Sequence, residues 1–352
     1  MPEQVTFHTD EASGAGQPAR WMLYGAAGYT GALIAETARQ RGHQPLLAGR
    51  SGPAVTALAE RLGLPHRELS LDDPAALATA LAGMRLVLNA AGPFLRTATP
   101  LAEACLRAGV HYLDIGNELQ AFRALYGLDE RARQAEVMIM PGVGFGVIAT
   151  NCLARYVSDA VGGAATLEVA TRAATAQQGP GVAATRRQNM PYGGWIRQAG
   201  HLEPSPLGSG ITTITLPDGP CHVMPLPTGD LEAAFQATGA ADITAYGAVP
   251  DAPGPDSKVP DPPADERPTY PSFGWARATG RDGVTTQAWL RTGESYAFTA
   301  NASIRAVEET LARSLSGALS PAAAFGPDFI LTIPGTSRTD TIPAAAPLAG
   351  RP

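Results

Sequence analysis

Three glycines at three-residue spacing, Gly25-Ala-Ala-Gly28-Tyr-Thr-Gly31, stand where this chain could grip phosphate. Before them runs a short apolar stretch of β character, Trp21-Met-Leu-Tyr24. After them comes a helical pattern, Ala32 to Arg41, stopped by Gly42, and then a second apolar run, Gln44 to Ala48. Strand, glycine turn, helix and strand is the order that binds a dinucleotide. Gly25 permits a tight turn out of the strand, Gly28 lets backbone approach a pyrophosphate, and Gly31 lets the helix lie close on the sheet. The helix then offers free N–H groups and its positive dipole end. Gly25, Ala27, Gly28, Tyr29, Thr30 and Gly31 are the expected contacts. The competing reading is a doubly wound domain that keeps the turn for packing.

The end of the second strand selects the cofactor. NAD enzymes usually place a carboxylate there for the ribose 2′-hydroxyl. This chain has Arg50 and Ser51, and a guanidinium suits a 2′-phosphate. NADPH is therefore favoured over NADH, against the reading of Arg50 as a solvated surface arginine. Asp72 follows a third strand, where it could meet an adenine amino group, although Asp72-Asp73-Pro74 also reads as a plain helix cap. Ligands of open α/β sheets lie outside the carboxyl ends of the strands. Asn89, Ala90, Ala91, Gly92 and Pro93, which close the buried run Arg85 to Ala91, are thus expected near the ribose or nicotinamide.

Hydride chemistry also needs a proton source. Asp114 and Glu118, at the end of the strand His111-Tyr-Leu-Asp114, are the candidates from the sheet. Tyr192 and His201 are the candidates from the region that follows. Capping and structural hydrogen bonding compete for the first two, and an ordinary surface histidine for His201. Arg186, Arg187 and Arg197 could bind a carboxylate or a carrier phosphate, or simply be solvated. Lys258 is the only lysine in the chain. Four residues before it stands Gly254, so the Tyr/Lys pair of short-chain dehydrogenases is absent; Val259 follows it, so there is no Walker A loop. No Gly-x-Ser-x-Gly elbow supports a hydrolase. No Cys/His cluster has metal spacing, so no metal is expected.

These residues need a scaffold. The expected one is α/β: a Rossmann-type doubly wound parallel sheet with a second, mixed α+β domain. At 352 residues about two domains are expected. The boundaries read as a disordered tail over 1–19, a nucleotide-binding domain over 20–146, an α+β substrate or dimerisation domain over 147–334, and a disordered tail over 335–352. Within the second domain, hairpins are expected at Ile211–Leu226 and Trp275–Leu290, a Pro-rich excursion at 250–271, and a late strand at Phe329–Ile333. A helix at 299–313 is expected to pack back on the first domain. A chain 45% hydrophobic and 16% charged has ample material for a core. A net charge of -6 argues against a nucleic-acid partner. Pro141, Gly142, Gly144 and Gly146 break the longest apolar stretch, Val137 to Ala154, so no membrane span is expected. Cys105, Cys152 and Cys221 fit free thiols in a reducing compartment, and the reading is cytoplasmic.

With these segments in hand, the chain resembles the saccharopine dehydrogenase-like oxidoreductases, in the branch that contains trans-acting enoyl reductases. The likeness rests on Gly25 to Gly31 with Ala48-Gly-Arg50, on Asn89-Ala-Ala-Gly92-Pro-Phe94, on His111 to Glu118, and on Pro141-Gly-Val-Gly-Phe145-Gly. Two departures stand out. Asn117 replaces a second glycine before the glutamate, and Gly144-Phe-Gly-Val-Ile-Ala149 lacks the family's Asp and Pro. The resemblance implies an NADP-dependent oxidoreductase. Its substrate would be a small molecule, carrier-bound in one version, in lipid or secondary metabolism; a homodimer is one expected assembly.

The expected function is hydride transfer from NADPH to an activated double bond, either the C=C of an enoyl-type substrate or the C=N of an imine. The alternative is a non-catalytic NADP-binding sensor or assembly partner. Replacing Arg50 with Ala should raise the apparent KM for NADPH far more than that for NADH; equal effects would count against the 2′-phosphate assignment.

Overall fold

The computed structural model describes residues 21–173, 193–206, 208–249 and 271–342. Tyr192, Arg186 and Arg187, the 1–19 tail and nearly all of the 250–271 excursion lie outside these residues.

The first sheet is built from β1 (Trp21–Tyr24), β2 (Leu46–Gly49), β3 (His66–Glu68), β4 (Leu86–Asn89), β5 (His111–Asp114) and β6 (Met138–Met140), all paired in parallel. Its order is β3-β2-β1-β4-β5-β6, with a seventh strand, β15 (Gly317–Ala318), beside β6. Both faces are covered, so neighbouring strand residues go to opposite cores. Trp21, Leu23, Leu47, Leu86 and Leu88 face the side of α1 (Tyr29–Gln40) and α2 (Gly52–Leu62). Met22, Tyr24, Ala48, Val87 and Tyr112 face the side of α3 (Pro74–Leu81), α4 (Phe94–Ala108), α5 (Leu119–Tyr126) and α6 (Asp129–Gln134). Asp73 caps α3, its carboxylate accepting from the Ala75 and Ala76 amides at 3.1 and 2.9 Å. The doubly wound parallel sheet and its second, mixed partner are thus as expected.

The second sheet is antiparallel apart from one pair. Its main path runs β10 (Thr212–Leu216), β11 (Gly219–Pro225), β12 (Asp242–Ala248), β7 (Ala164–Arg172), β13 (Ser272–Gly280), β14 (Thr285–Thr292) and β16 (Ser337–Thr339). A hairpin of β8 (Gly194–Gln198) and β9 (His201–Ser205) hangs on β12, and β12 pairs in parallel with β7. Alternation again decides the faces: Leu167, Val169, Ala276 and Leu290 join the core that includes α7 (Phe145–Ala160), whereas Ala170, Trp275 and Trp289 form a separate cluster on the other side. The helix α8 (Asp230–Thr238) packs with α7 on the inner face.

The chain then returns to the first sheet. The helix α9 (Ser295–Ala312) lies along α1, where Glu308 receives Arg41 at 2.9 Å and His43 at 3.1 Å. After it comes β15. Both α9 and β15 therefore pack against elements of the nucleotide-side sheet.

Two local expectations change. Phe329–Ile333 is not a strand but lies mostly in a 3-10 turn, Pro327–Thr332, with Phe329 and Ile330 both buried. A five-residue apolar run has no period that separates strand from buried helix. The segment after 335 is ordered far enough to place Ser337–Thr339 against Trp289–Arg291. The helix α4 starts at Phe94 and carries Pro100 inside it.

Leu153 of α7 is fully buried and would touch a Cβ placed on Gly274 of β13 at 3.3 Å. It fills the seam between helix and second sheet. Truncating it to Ala should cost about 2–5 kcal/mol of stability, read by urea unfolding; a loss under about 1 kcal/mol would show that the seam repacks.

Candidate functional site

The phosphate turn is held by backbone. The amides of Gly25 and Ala26 both donate to the Ala48 carbonyl, at 2.8 and 3.1 Å, and the Ala90 amide donates to the Tyr24 carbonyl at 2.8 Å. The ends of β1, β2 and β4 are thereby knotted together. Gly25 takes φ +81°, and a Cβ there would stand 2.6 Å from the Ala91 nitrogen. A Cβ on Gly31 would overlap the Gly25 carbonyl oxygen. Neither position admits a side chain.

Gly28 caps α1 with no side-chain acceptor, and the first turn of α1 holds no acidic residue. Ala27 and Gly28 are exposed, while Tyr29 and Thr30 are half-buried. An exposed helix N-terminus without an internal anion fits a pyrophosphate. At the end of β2, Arg50 and Ser51 are exposed, and Ser51 caps α2 without a side-chain bond. The charges of Arg50 and Asp72 both reach the Tyr24 hydroxyl, which places the two residues around one sheet edge. Asp72 is exposed and bonded to Ser70. The residues present therefore fit NADP, and among the described residues no hydrogen bond or ion pair occupies the Arg50 or Ser51 side chain. One neighbour escaped the sequence reading: a Cβ on Gly52 would collide with the Glu68 carboxyl, so an acid from β3 lies beside the start of α2. Only the parallel register Glu68↔Gly49 brings it there.

The loop after β4 is shaped by Asn89. Its side chain is completely buried; Nδ2 donates to the Tyr112 hydroxyl at 3.1 Å and to Thr97 at 3.2 Å, and Oδ1 accepts the Ala91 amide at 2.9 Å. Asn89 thus holds the loop, and the half-buried Ala90, Ala91 and Pro93 with the exposed Gly92 form its surface.

Asp114 is buried and ties three segments. Its carboxylate accepts the Tyr112 hydroxyl at 2.8 Å, the Gly116 amide at 2.9 Å and the Gly142 amide at 3.0 Å. Burial pushes its carboxyl up to about 6; the bonds from Gly142, Gly116 and Tyr112 oppose this, and the nearby Glu118 charge adds to it. Glu118 is also buried, and its Oε1 accepts the Phe94 amide at 3.1 Å, fixing the start of α4. Both carboxyls sit at the expected sheet edge, and both bind backbone.

The second domain docks on this edge. Glu118 and Thr228 form an isolated antiparallel bridge, and the Gly229 amide donates to the carbonyl and side-chain oxygens of Asn117, each at 3.0 Å. A Cβ on Gly146 would lie 2.9 Å from Asn117 Nδ2. The two places where the sequence departs from the family pattern thus touch each other. Asp230, buried at the start of α8, accepts from Thr150 of α7 and from the Thr228 and Asn117 side chains, and burial raises its pKa.

His201 is placed elsewhere. It is exposed at the start of β9, paired with Gln198, beside a turn whose Ala199 amide bonds Asp242 near the far end of α8. Arg197 is 6% exposed and committed to Glu232 at 3.0 Å, with its guanidinium 3.9 Å from the Phe235 ring centre. It is a packed ion pair. The three cysteines are buried free thiols; burial pushes Cys152 up to about 12. Among the described residues there is no metal-ligand cluster, and no helix is long and apolar enough to cross a membrane.

Residues 21–140 match the family model described as the saccharopine dehydrogenase NADP binding domain. The chain is 33% identical over 109 residues to a trans-acting enoyl reductase of Mycobacterium ulcerans, a match covering 29% of this chain and 26% of that protein. It is 34% identical over 109 residues to one from Mycobacterium tuberculosis, with the same coverage. The matched stretch thus spans about a quarter of the length of these curated relatives. A saccharopine dehydrogenase (L-Glu forming) from Saccharomyces cerevisiae has the same fold, with a TM-score of 0.60 at 13% identity, covering 89% of this chain and 96% of that one.

The Asp114 carboxyl sets a pH dependence. Its folded pKa, about 6, lies above its ordinary value of 3.8, so the protonated form is favoured by folding. The stabilisation is complete below about pH 4 and is lost as pH rises through 6. The stability difference between wild type and Asp114→Asn should therefore shrink from pH 4 to pH 7 and then level off, measured by urea unfolding at each pH. A difference that grows over this range would mean the carboxylate is held ionised.

Proposed function

We propose that this chain, whose residues 21–140 are an NADP-binding domain of the saccharopine dehydrogenase type, is an NADPH-dependent oxidoreductase that reduces an activated double bond. The observation that carries the reading is the docking of the second domain, through Asn117 and Glu118, onto the sheet edge where the nicotinamide end of a dinucleotide would lie. A covered edge supports a water-restricted pocket for hydride transfer. When bound, the cofactor supplies the hydride. The chain's own residues bind and orient. The α1 N-terminus and the Gly25–Gly31 turn hold phosphate, Arg50 and Ser51 hold the 2′-phosphate, and the Ala90–Pro93 backbone bounds the nicotinamide side. The enoyl reductase relatives favour the C=C of an enoyl substrate, small or carried on a thioester, with the C=N of an imine as the other acceptor.

A second reading, a non-catalytic NADP-binding sensor or assembly partner, draws on a specific observation. Asp114 is buried, with Oδ1 accepting the Gly116 and Gly142 amides and Oδ2 accepting the Tyr112 hydroxyl, and Glu118 is buried with Oε1 on the Phe94 amide, so structural bonding competes with proton donation at both. His201 is exposed beside the turn that bonds Asp242, near the far end of α8, and Tyr192 lies outside the described residues.

Stopped-flow measurement of NADPH oxidation with α,β-unsaturated thioesters and cyclic imines separates the two. Single-turnover loss of NADPH absorbance with one of these classes is the expected result. Tight NADPH binding with no oxidation across the panel would favour the sensor.

A further inference from the structure

We propose that Tyr296 is a positioning residue of the NADP site, delivered by the helix that returns from the second sheet, and that its ring sets how firmly the Tyr29 rim of the phosphate turn is held. This rests on the NADP-binding reading above. Tyr29 is the first residue of α1, directly after the Gly28 cap, so its backbone belongs to the anion-binding end of the helix. Its ring meets that of Tyr296 edge to face, with centres 4.9 Å apart and planes at 85°. Both tyrosines are half-buried, so the pair lies at the surface of the turn and outside the core.

Tyr296 is placed from several directions. The Glu294 carboxylate caps α9, accepting the Tyr296 amide at 3.0 Å and the Ala297 amide at 2.9 Å. One turn on, Thr299 Oγ1 accepts the Phe145 amide at 3.1 Å, and Phe298 meets Phe145 edge to face at 5.7 Å. These bonds tie the start of α9 to the loop after β6. Toward its other end, Glu308 takes Arg41 and His43 from the end of α1 and the residues after it. The helix therefore grips α1 near both ends, and β14 runs directly into its first turn. A residue that follows the second sheet thus braces the phosphate-binding terminus of the first.

The contact is a ring contact near the pyrophosphate, away from Arg50. Losing it should weaken NADPH and NADH alike. An aromatic pair of this kind corresponds to about a two- to tenfold change in affinity.

The test is calorimetric titration of the full chain with NADPH and with NADH. Tyr296→Ala should raise both Kd values about two- to tenfold and leave their ratio at the wild-type value, while Tyr296→Phe should stay within about twofold of wild type. Tyr29→Ala combined with Tyr296→Ala should be no weaker than Tyr29→Ala alone. Apo-protein melting checks each fold, and Tyr296→Leu replaces Y296A if that variant does not fold. Wild-type affinity in Y296A, a changed cofactor ratio, or Y296F as weak as Y296A would overturn the proposal while leaving the NADP reading intact. A wild-type chain that binds neither nucleotide would overturn both.

Discussion

The close approach of the Gly25 backbone to the Ala90–Ala91 peptide is the constraint from which the rest follows. The approach is possible because there is no Cβ at Gly25 and because φ there is +81°. It lets one turn bond β2 through the Ala48 carbonyl while β4 bonds back to the Tyr24 carbonyl. With the strand ends drawn together, α1 must start beside β4, and Gly31 must be bare where the helix crosses the Gly25 carbonyl. An exposed helix terminus with no side-chain cap is then left at the end of β1.

The docking of the second domain uses a second knot of the same kind. Asp114 gathers the ends of β5 and β6 through the amides of Gly116 and Gly142, and the loop between Asp114 and Glu118 carries Asn117 to Gly229. Burying a carboxyl to organise backbone is costly, and its raised pKa records the cost. The same environment would suit a proton donor, yet one oxygen takes the two amides and the other the Tyr112 hydroxyl. The structure thus concentrates polar bonding where the two domains meet, while α9 supplies a separate brace along α1.

How much of this was legible in the sequence depends on how local the cause is. The glycine turn, the Asp73 cap and the hairpin at Pro217-Asp-Gly219 are local, and their residues announced them. What was hidden depends on pairing across long stretches of chain. Nothing in Gly317-Ala318 marks a strand until β6 offers it an edge, and Ser337–Thr339 is ordered by β14. Glu68 beside Gly52, Asn117 beside Gly146 and Tyr296 beside Tyr29 are likewise products of register and packing. Arg197 looked like a ligand-binding cation because charge is visible in a sequence and its partner, Glu232, is identified only by the fold.

The claim at the centre is that the amides around Gly25–Gly31 hold the cofactor's phosphates. Hydrogen–deuterium exchange with and without NADPH reads those amides directly. Slowed exchange in the peptide covering Gly25 to Ile34, together with the stretch around Ala90 to Phe94, is the result predicted. NADPH that slows exchange elsewhere and leaves both peptides unchanged would contradict the account.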